Sequence, residues 1–216
     1  MVLVFVMSKA TCGYYSQYYL IAAQRGEKSL SQYEQYLRAS TAYDSSHGRA
    51  LMQLALYMAS IGQLPQAEEL QGKGMQSFRT VSAFEQAGVL QEKLGEVSTP
   101  AAAEHLKAAR TLYEKAERVR PANVVALEHL MLMAYRGGDD QNVATFAEQL
   151  VRAQADNLNG IYLKALVAEK NKNFRAAYGL YQQIADLHDL PKGSLFDNNT
   201  IEKRLRAMQS AVNATP

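Results

Sequence analysis

The chain has 216 residues, with 23 Lys and Arg against 21 Asp and Glu, which gives a formal net charge of +2. This balance excludes a strongly basic protein that binds nucleic acid or acidic membranes through charge, and 48% hydrophobic with 20% charged residues is typical of a folded chain. A single cysteine and four widely spaced histidines exclude an intramolecular disulfide and a cysteine-built zinc site.

The sequence begins with an apolar run over residues 2–7. This run is shorter than a membrane-spanning helix of about 20 residues and than the apolar stretch of about 7–15 residues in a secretory signal. Residues 1–12 are therefore interpreted as a truncated signal sequence or as the irregular start of a cytosolic chain. Lipid attachment at Cys12 is a weaker interpretation, because Lys9 stands where bacterial lipoprotein signals usually have Leu. We expect a periplasmic or outer-membrane-associated protein, with the cytoplasm as the alternative.

Tyrosine is abundant near the start of the chain, and the whole sequence has 13 Tyr against 6 Phe and no Trp. Tyr15, Tyr18, Tyr19 and Ala22 fall on one face of a predicted helix. We expect these rings to pack onto the second helical hairpin. The alternative is an exposed aromatic patch for a partner, because Tyr is enriched at protein interfaces.

Helix starts are marked by capping residues, prolines and first-turn carboxylates. In chain order the signals are Ser31-x-x-Glu34 before a helix over residues 32–39, Pro65 in the return helix of the second hairpin, Ser98-Thr99-Pro100 before a long helix that ends at Val119, and Asp139-Asp140 before a helix over residues 141–154.

The last predicted helix covers residues 199–213 and follows a linker over residues 191–198. Asn199-x-x-Glu202 marks its start. Its apolar positions form one stripe and its other face is charged, which is typical of a helix that caps an array. The stripe consists of Ile201, Leu205, Met208 and Val212.

Helical patterns end at regularly spaced breaks, which indicates an internal repeat. The glycines at the breaks are Gly26, Gly62, Gly95 and Gly138, spaced 36, 33 and 43 residues apart, and the break at Lys172-Asn173 follows 34 residues later. The long interval is explained by an insertion around residues 97–105.

Small residues recur at fixed offsets around these breaks. The best-formed unit reads Ala109-x3-Tyr113-x2-Ala116-x4-Pro121, and another reads Gly62-x4-Ala67 with Ala55 seven residues before the glycine. Small residues at these offsets let two antiparallel helices approach closely, and stacked hairpins then share a continuous core.

This pattern resembles the tetratricopeptide repeat (TPR) family, in degenerate form. The resemblance implies an all-α, right-handed α-solenoid of about five antiparallel helical hairpins over residues 13–190, plus the C-terminal capping helix. No Trp occurs where the family often has one, and the first repeat matches the family pattern poorly.

The sequence contains no strong motif for catalysis or for binding a cofactor or a metal ion. Gly72-Lys73-Gly74 lacks both the leading glycine and the following Ser or Thr of a phosphate-binding loop. His129 lies in the apolar run 127–133 and is interpreted as a packed residue. We therefore predict no catalytic residue, no cofactor and no metal site.

In TPR arrays the first helix of each hairpin lines the concave surface, so the resemblance implies a protein-binding groove. Its predicted residues, taken by offset, are Arg49, Met52, Leu56, Glu85, Val89, Glu92, Lys93, Glu128, Leu132, Tyr135, Arg136, Tyr162, Leu166, Glu169 and Lys170. Their mixed character favours a helix or extended segment with apolar anchors and flanking charges.

The sequence thus predicts a non-enzymatic scaffold or adaptor that binds a protein or peptide, and we expect it in a bacterial envelope assembly or secretion system. Nucleic acid is not expected as a partner, and a membrane only through the N-terminal segment. The alternatives are an envelope lipoprotein with a mainly structural role and a small-ligand carrier or enzyme with a pocket between hairpins.

Overall fold

The computed structural model describes residues 9–24, 29–97, 100–186 and 195–214. Over these ranges the chain forms eleven α-helices and no β-strand. The helices are α1 Lys9–Gln24, α2 Leu30–Tyr43, α3 Gly48–Ser60, α4 Leu64–Ser77, α5 Val81–Val97, α6 Ala102–Val119, α7 Val124–Arg136, α8 Asp140–Ala153, α9 Leu158–Lys170, α10 Phe174–Ala185 and α11 Asn198–Ala214. None of these helices is both long and apolar enough to cross a membrane.

Helices that follow one another in the chain pair as hairpins: α1 with α2, α3 with α4, α7 with α8 and α9 with α10, while α11 packs onto α10. Helices α5 and α6 also pack together, at Gly88 against Tyr113 and at Gly95 against Leu106. The predicted fold class, all-α with five helical hairpins and a C-terminal capping helix, is confirmed. The chain divides into two compact units, residues 1–116 and 117–216. Each unit has its own hydrophobic core.

The small residues that recur around the breaks are all buried. Gly88 shows why they must be small, because a Cβ atom there would lie 2.6 Å from the ring of Tyr113. The buried repeat positions are Ala55, Ala67, Gly74, Gly88, Ala109, Tyr113, Ala116, Met131, Val143, Ala147, Leu150, Ala165, Ala177, Tyr181 and Ile184.

Two of the predicted glycine breaks are turns with a left-handed backbone, Gly62 at φ +80° and Gly138 at φ +72°. Lys172 adopts φ +58° at the equivalent break, where glycine is absent. Gly26 lies outside the described residues. Gly95 is inside α5, so the prediction of a helix end there is wrong; a Cβ atom at Gly95 would lie 3.0 Å from Leu106 of α6. Gly95 therefore permits close helix packing.

The predicted insertion lengthens both helices of the third hairpin. Helices α5 and α6 have 17 and 18 residues, whereas α7 and α8 have 13 and 14. Each is thus about one helical turn longer than its counterpart. The predicted end of α6 at Val119 is confirmed, and its proposed cap at Ser98-Thr99 lies outside the described residues.

Helix caps explain where several helices begin. The capping box of α2 is formed by Ser29 and Gln32, so the prediction of Ser31 and Glu34 in these roles is wrong by two positions. Pro65 lies in the first turn of α4 and Asp139 caps α8, as predicted. In the second unit Asn123, Asn157 and Asn173 also cap helices through their side-chain oxygens.

The capping helix α11 begins one residue before the predicted start, and Asp197 accepts a hydrogen bond from the backbone N–H of Thr200 at 2.7 Å. Ile201 and Met208 of the predicted stripe are buried. Part of the predicted linker, residues 191–194, lies outside the described residues. Phe196, at its end, is buried against Tyr162, with ring centroids 4.3 Å apart.

The early tyrosines pack within the first hairpin. Tyr43 of α2 stacks between Tyr15 and Tyr19 of α1, with centroid separations of 5.3 and 5.4 Å. The expectation that these rings pack onto the second hairpin is therefore wrong. Tyr18 is 56% exposed. Cys12 lies in the first half of α1, but its side chain and residues 1–8 are outside the described part, and lipid attachment there stays a prediction.

Candidate functional site

The predicted groove residues lie on the first helices of successive hairpins, and each unit carries its own set. In the second unit, α7 packs beside α9, and this pair presents what we call the α7–α9 face. Its residues are Glu128, Leu132, Tyr135, Arg136, Leu166 and Lys170. The α3–α5 face in the first unit consists of Arg49, Leu56, Glu85, Val89, Glu92 and Lys93.

Two predicted groove residues belong to the core. Met52 is fully buried, and Tyr162 is only 8% exposed. Met52 packs against Gly74, where a Cβ atom would lie 3.0 Å from Met52 Cγ. Tyr162 packs against Phe196 and Tyr181. Both side chains are part of the hydrophobic interior, so assigning them to a binding surface is wrong.

The apolar part of the α7–α9 face comes from Leu132, Tyr135 and Leu166. Both leucines are half-buried, and Tyr135 is 40% exposed. Arg136 is exposed beside Tyr135 at the end of α7. The face therefore offers one accessible aromatic ring, two partly covered leucines and a cation next to the ring in the sequence.

Glu128 fixes the beginning of α9 relative to α7. Its carboxylate accepts hydrogen bonds from Asn157 at 2.8 Å and from Asn159 at 3.4 Å. Asn157 also caps α9 by accepting from the N–H of Gly160 at 2.8 Å. At the other end of α9, Lys170 forms an ion pair with Asp140 at 2.8 Å. Glu128 and Lys170 are thus held in defined positions.

Glu169 is committed to contacts within the second unit. It accepts a hydrogen bond from Tyr181 at 2.9 Å and forms an ion pair with Arg204 of α11 at 2.6 Å. Burial, followed by the hydrogen bond to Glu169, raises the pKa of Tyr181, so its phenol stays protonated and donates. Glu169 therefore connects α9 to α10 and to the capping helix.

In the first unit a glutamate of α5 again lies near a buried tyrosine, Tyr113 of α6. Burial raises the pKa of Tyr113, and the nearby carboxylates of Glu92 and Glu85 raise it further. Glu92 lies four residues after Gly88, as Glu169 lies four residues after Ala165, and the two tyrosines are also at equivalent repeat positions. This Glu–Tyr recurrence is a signal that sequence reasoning missed.

A polar cluster in the first hairpin joins α1, α2 and the turn before α3. Ser16 Oγ hydrogen-bonds to Nδ1 of His47, and Ser40 Oγ donates to the backbone oxygen of Ser16 at 2.8 Å. Ser16 and Ser40 are both fully buried, so a substrate cannot reach their hydroxyls. Burial lowers the pKa of His47, which favours the neutral ring. The cluster acts as a structural link.

No group of three or more His, Cys, Asp or Glu side chains in the described ranges is arranged to hold a metal ion. The histidine in the apolar run, His129, is half-buried in α7. The arrangement of the two faces is suited to binding through extended surface.

Comparison with known proteins identifies the fold through solved structures. No protein-family model and no curated protein matches the sequence. PilF of Pseudomonas aeruginosa aligns with a TM-score of 0.69 and 19% identity, over 95% of this chain and 89% of that one. A tetratricopeptide repeat protein of Parabacteroides merdae aligns with a TM-score of 0.66 and 12% identity, over 93% of this chain and 75% of that one.

YrrB, a TPR protein with an unusual peptide-binding site, aligns with a TM-score of 0.64 and 13% identity, over 90% of each chain. At these identities the likeness concerns the fold. The predicted resemblance to TPR proteins is confirmed at that level.

Proposed function

We propose that this chain, which has the tetratricopeptide-repeat fold, is a non-enzymatic scaffold that binds a protein segment on its α7–α9 face. The accessible ring of Tyr135, with exposed Arg136 next to it on α7 and half-buried leucines on both helices of the face, is the observation that carries this proposal. Tyr and Arg are enriched among residues that dominate binding energy at interfaces. YrrB, a solved protein of the same fold, has a peptide-binding site.

The ligand that suits this face is an amphipathic helix or an extended segment. Leu132 and Leu166 supply apolar contacts for anchoring side chains, and Tyr135 supplies a ring that can cover them. The positive charge of Arg136 favours an acidic residue at the edge of the bound segment, and Glu128 accepts hydrogen bonds from Asn157 and Asn159. Binding of this kind needs no catalytic group.

The test uses the purified full-length chain as bait with extracts of its source cells. Tyr135→Ala and Arg136→Glu are each compared with Arg152→Glu, which changes an exposed arginine of α8 in the same unit. We expect the first two variants to lose a specific captured protein that the wild-type chain and the control retain. Identical captured proteins in identical amounts for all four would show that this face is not the binding surface.

For the location of the scaffold we propose the periplasm or the outer membrane of a bacterium, within an envelope assembly or secretion system. The apolar run over residues 2–7 and Cys12 support this proposal. Mass spectrometry of the mature N-terminus tests it. Cleavage within the first twelve residues, or a lipid on Cys12, is the expected result, and an intact N-terminus on chains recovered from the cytoplasm would contradict it.

A further inference from the structure

A cleft of about 610 Å³ lies along α6 in the first unit, apart from the two faces described above. One side of α6 forms its wall, and Gln71 of α4 and Gln91 of α5 complete it. Its volume is within the range of about 300–1,000 Å³ that is typical of ligand pockets. The lining residues of α6 are Glu104, Lys107, Ala108, Thr111, Leu112 and Lys115.

Two buried amides line this cleft. Gln71 and Gln91 are 6% and 8% exposed. Gln91 Nε2 donates to Gln71 Oε1 at 2.7 Å, and Gln71 Nε2 donates to the backbone oxygen of Ala87 at 3.3 Å. These bonds use one of the two N–H groups of each amide, and each amide oxygen has a further lone pair. Side-chain amides have the same donor and acceptor groups as a peptide backbone.

His105 holds this pair in position. Its Nδ1 donates to Gln91 Oε1 at 2.8 Å, because an amide oxygen can only accept. The chain of bonds from His105 through Gln91 and Gln71 to Ala87 fixes the orientation of both amides. A polar surface that is already oriented loses little conformational entropy when a ligand binds.

The outer part of the wall carries two cations. Lys107 and Lys115 are exposed and lie eight residues apart on α6, which corresponds to about 12 Å along the helix axis. Residues i and i+4 of an extended peptide lie about 13 Å apart and point to the same side. Two acidic residues with three residues between them therefore match the separation of Lys107 and Lys115 along α6. The lining contains these two lysines and one glutamate, Glu104, so its net charge is +1.

We propose that the α6 cleft binds an extended acidic peptide segment of another protein. Two carboxylates of the segment, four positions apart, pair with Lys107 and Lys115, and its backbone hydrogen-bonds to the amides of Gln71 and Gln91. This site lies in the first unit, whereas the α7–α9 face lies in the second, so either assignment can fail without the other.

Isothermal titration calorimetry with the full-length chain tests this proposal. The probes are blocked hexapeptides with two Glu separated by three uncharged residues drawn from Ala, Ser and Thr. We expect at least one to bind with a Kd below about 1 mM, and binding to weaken as salt screens the charges. Replacing both Glu by Gln in that peptide is expected to weaken binding about tenfold, as is the double variant Lys107→Ala, Lys115→Ala.

The control variant is Lys203→Ala, which removes an exposed lysine of α11 in the second unit and should leave the Kd unchanged. Gln91→Leu should weaken binding at least about threefold, with folding checked by circular dichroism; the lysine variants decide the outcome if it does not fold. The proposal is wrong if no probe binds, if the double variant binds as wild type does, or if free glutarate binds as tightly as the peptides.

Discussion

At the residue scale, glycine has two distinct roles in this chain. Gly62 and Gly138 adopt a left-handed backbone that ends a helix, with open space around a would-be Cβ atom. Gly88 and Gly95 are inside α5 and allow the side chains of Tyr113 and Leu106 to approach the helix backbone. The residue type alone does not distinguish these roles.

Gly88→Ala is expected to destabilise the fold. The new methyl group would lie 2.6 Å from the buried ring of Tyr113, and overpacking of this kind costs about 1–3 kcal/mol. The matched control is Gly72→Ala in α4, where no atom lies within 4 Å and the higher helix propensity of Ala should add about 0.5–1 kcal/mol. Urea unfolding followed by circular dichroism measures both, and equal effects would contradict the close packing at Gly88.

His47 makes stability depend on pH in a defined window. Burial lowers its pKa below the ordinary value of 6.5, while Asp44 opposes this shift and Arg49 reinforces it. Since the unfolded chain then binds the proton more readily, the free energy of unfolding falls as the pH drops through 6.5 towards the folded-state pKa. Asp44 itself has a lowered pKa and does not titrate in this window.

The prediction compares wild type with His47→Gln. Between about pH 7.5 and about pH 5.5 the free energy of unfolding of wild type should fall more steeply than that of the variant, because glutamine has no titrating group. Urea unfolding at several pH values measures both slopes. The same slope in the two proteins would show that His47 does not carry this dependence.

At the element scale, the repeat offsets predict the core well, because the physical requirement at those positions is size. Ala55, Gly88 and Ala165 occupy the same offset, and each is buried where two helices approach closely. The exposure of the predicted groove residues does not follow from their offset in the same way. Met52 and Tyr162 are buried, while Glu85 and Glu128 are half-buried at the same offset.

Side-chain depth at that offset depends on neighbours that are distant in the sequence. Met52 packs against Gly74, and Tyr162 is covered by Phe196, which follows the fifth hairpin. Periodicity places a residue on one side of its helix but contains no information on these neighbours. Capping at Ser29 was missed for a similar reason, since serines at 29 and 31 compete within the same turn.

The capping helix α11 provides a test of an element as a whole. Arg204 joins it to Glu169 of α9 and is 38% exposed, so we expect Arg204→Met to cost about 1 kcal/mol after solvent screening and to weaken amide protection in α11. Arg206 of the same helix is 82% exposed and pairs with Glu202 at 3.4 Å. Arg206→Met should change stability by less than about 0.5 kcal/mol. Hydrogen exchange with mass spectrometry compares the two, and similar exchange in α11 would contradict the role of Arg204.

At the scale of the whole molecule, two compact units with separate cores suggest that stability is distributed locally. In repeat arrays each hairpin contacts its neighbours, so stability is approximately a sum of local terms. The core of the first unit includes Leu90, and that of the second includes Leu163. Both side chains are buried, so they allow the same change to be made in either unit.

Leu90→Ala and Leu163→Ala should each remove about 2–5 kcal/mol of stability through lost burial and a residual cavity. We expect amide exchange to accelerate by about 30-fold or more mainly in residues 29–97 for Leu90→Ala and mainly in residues 124–185 for Leu163→Ala, because opening of one unit leaves the other folded. Hydrogen exchange with peptide-level mass spectrometry measures this. If both variants accelerate exchange equally throughout the chain, the protein opens as one cooperative body, and the separation into locally stabilised units is wrong.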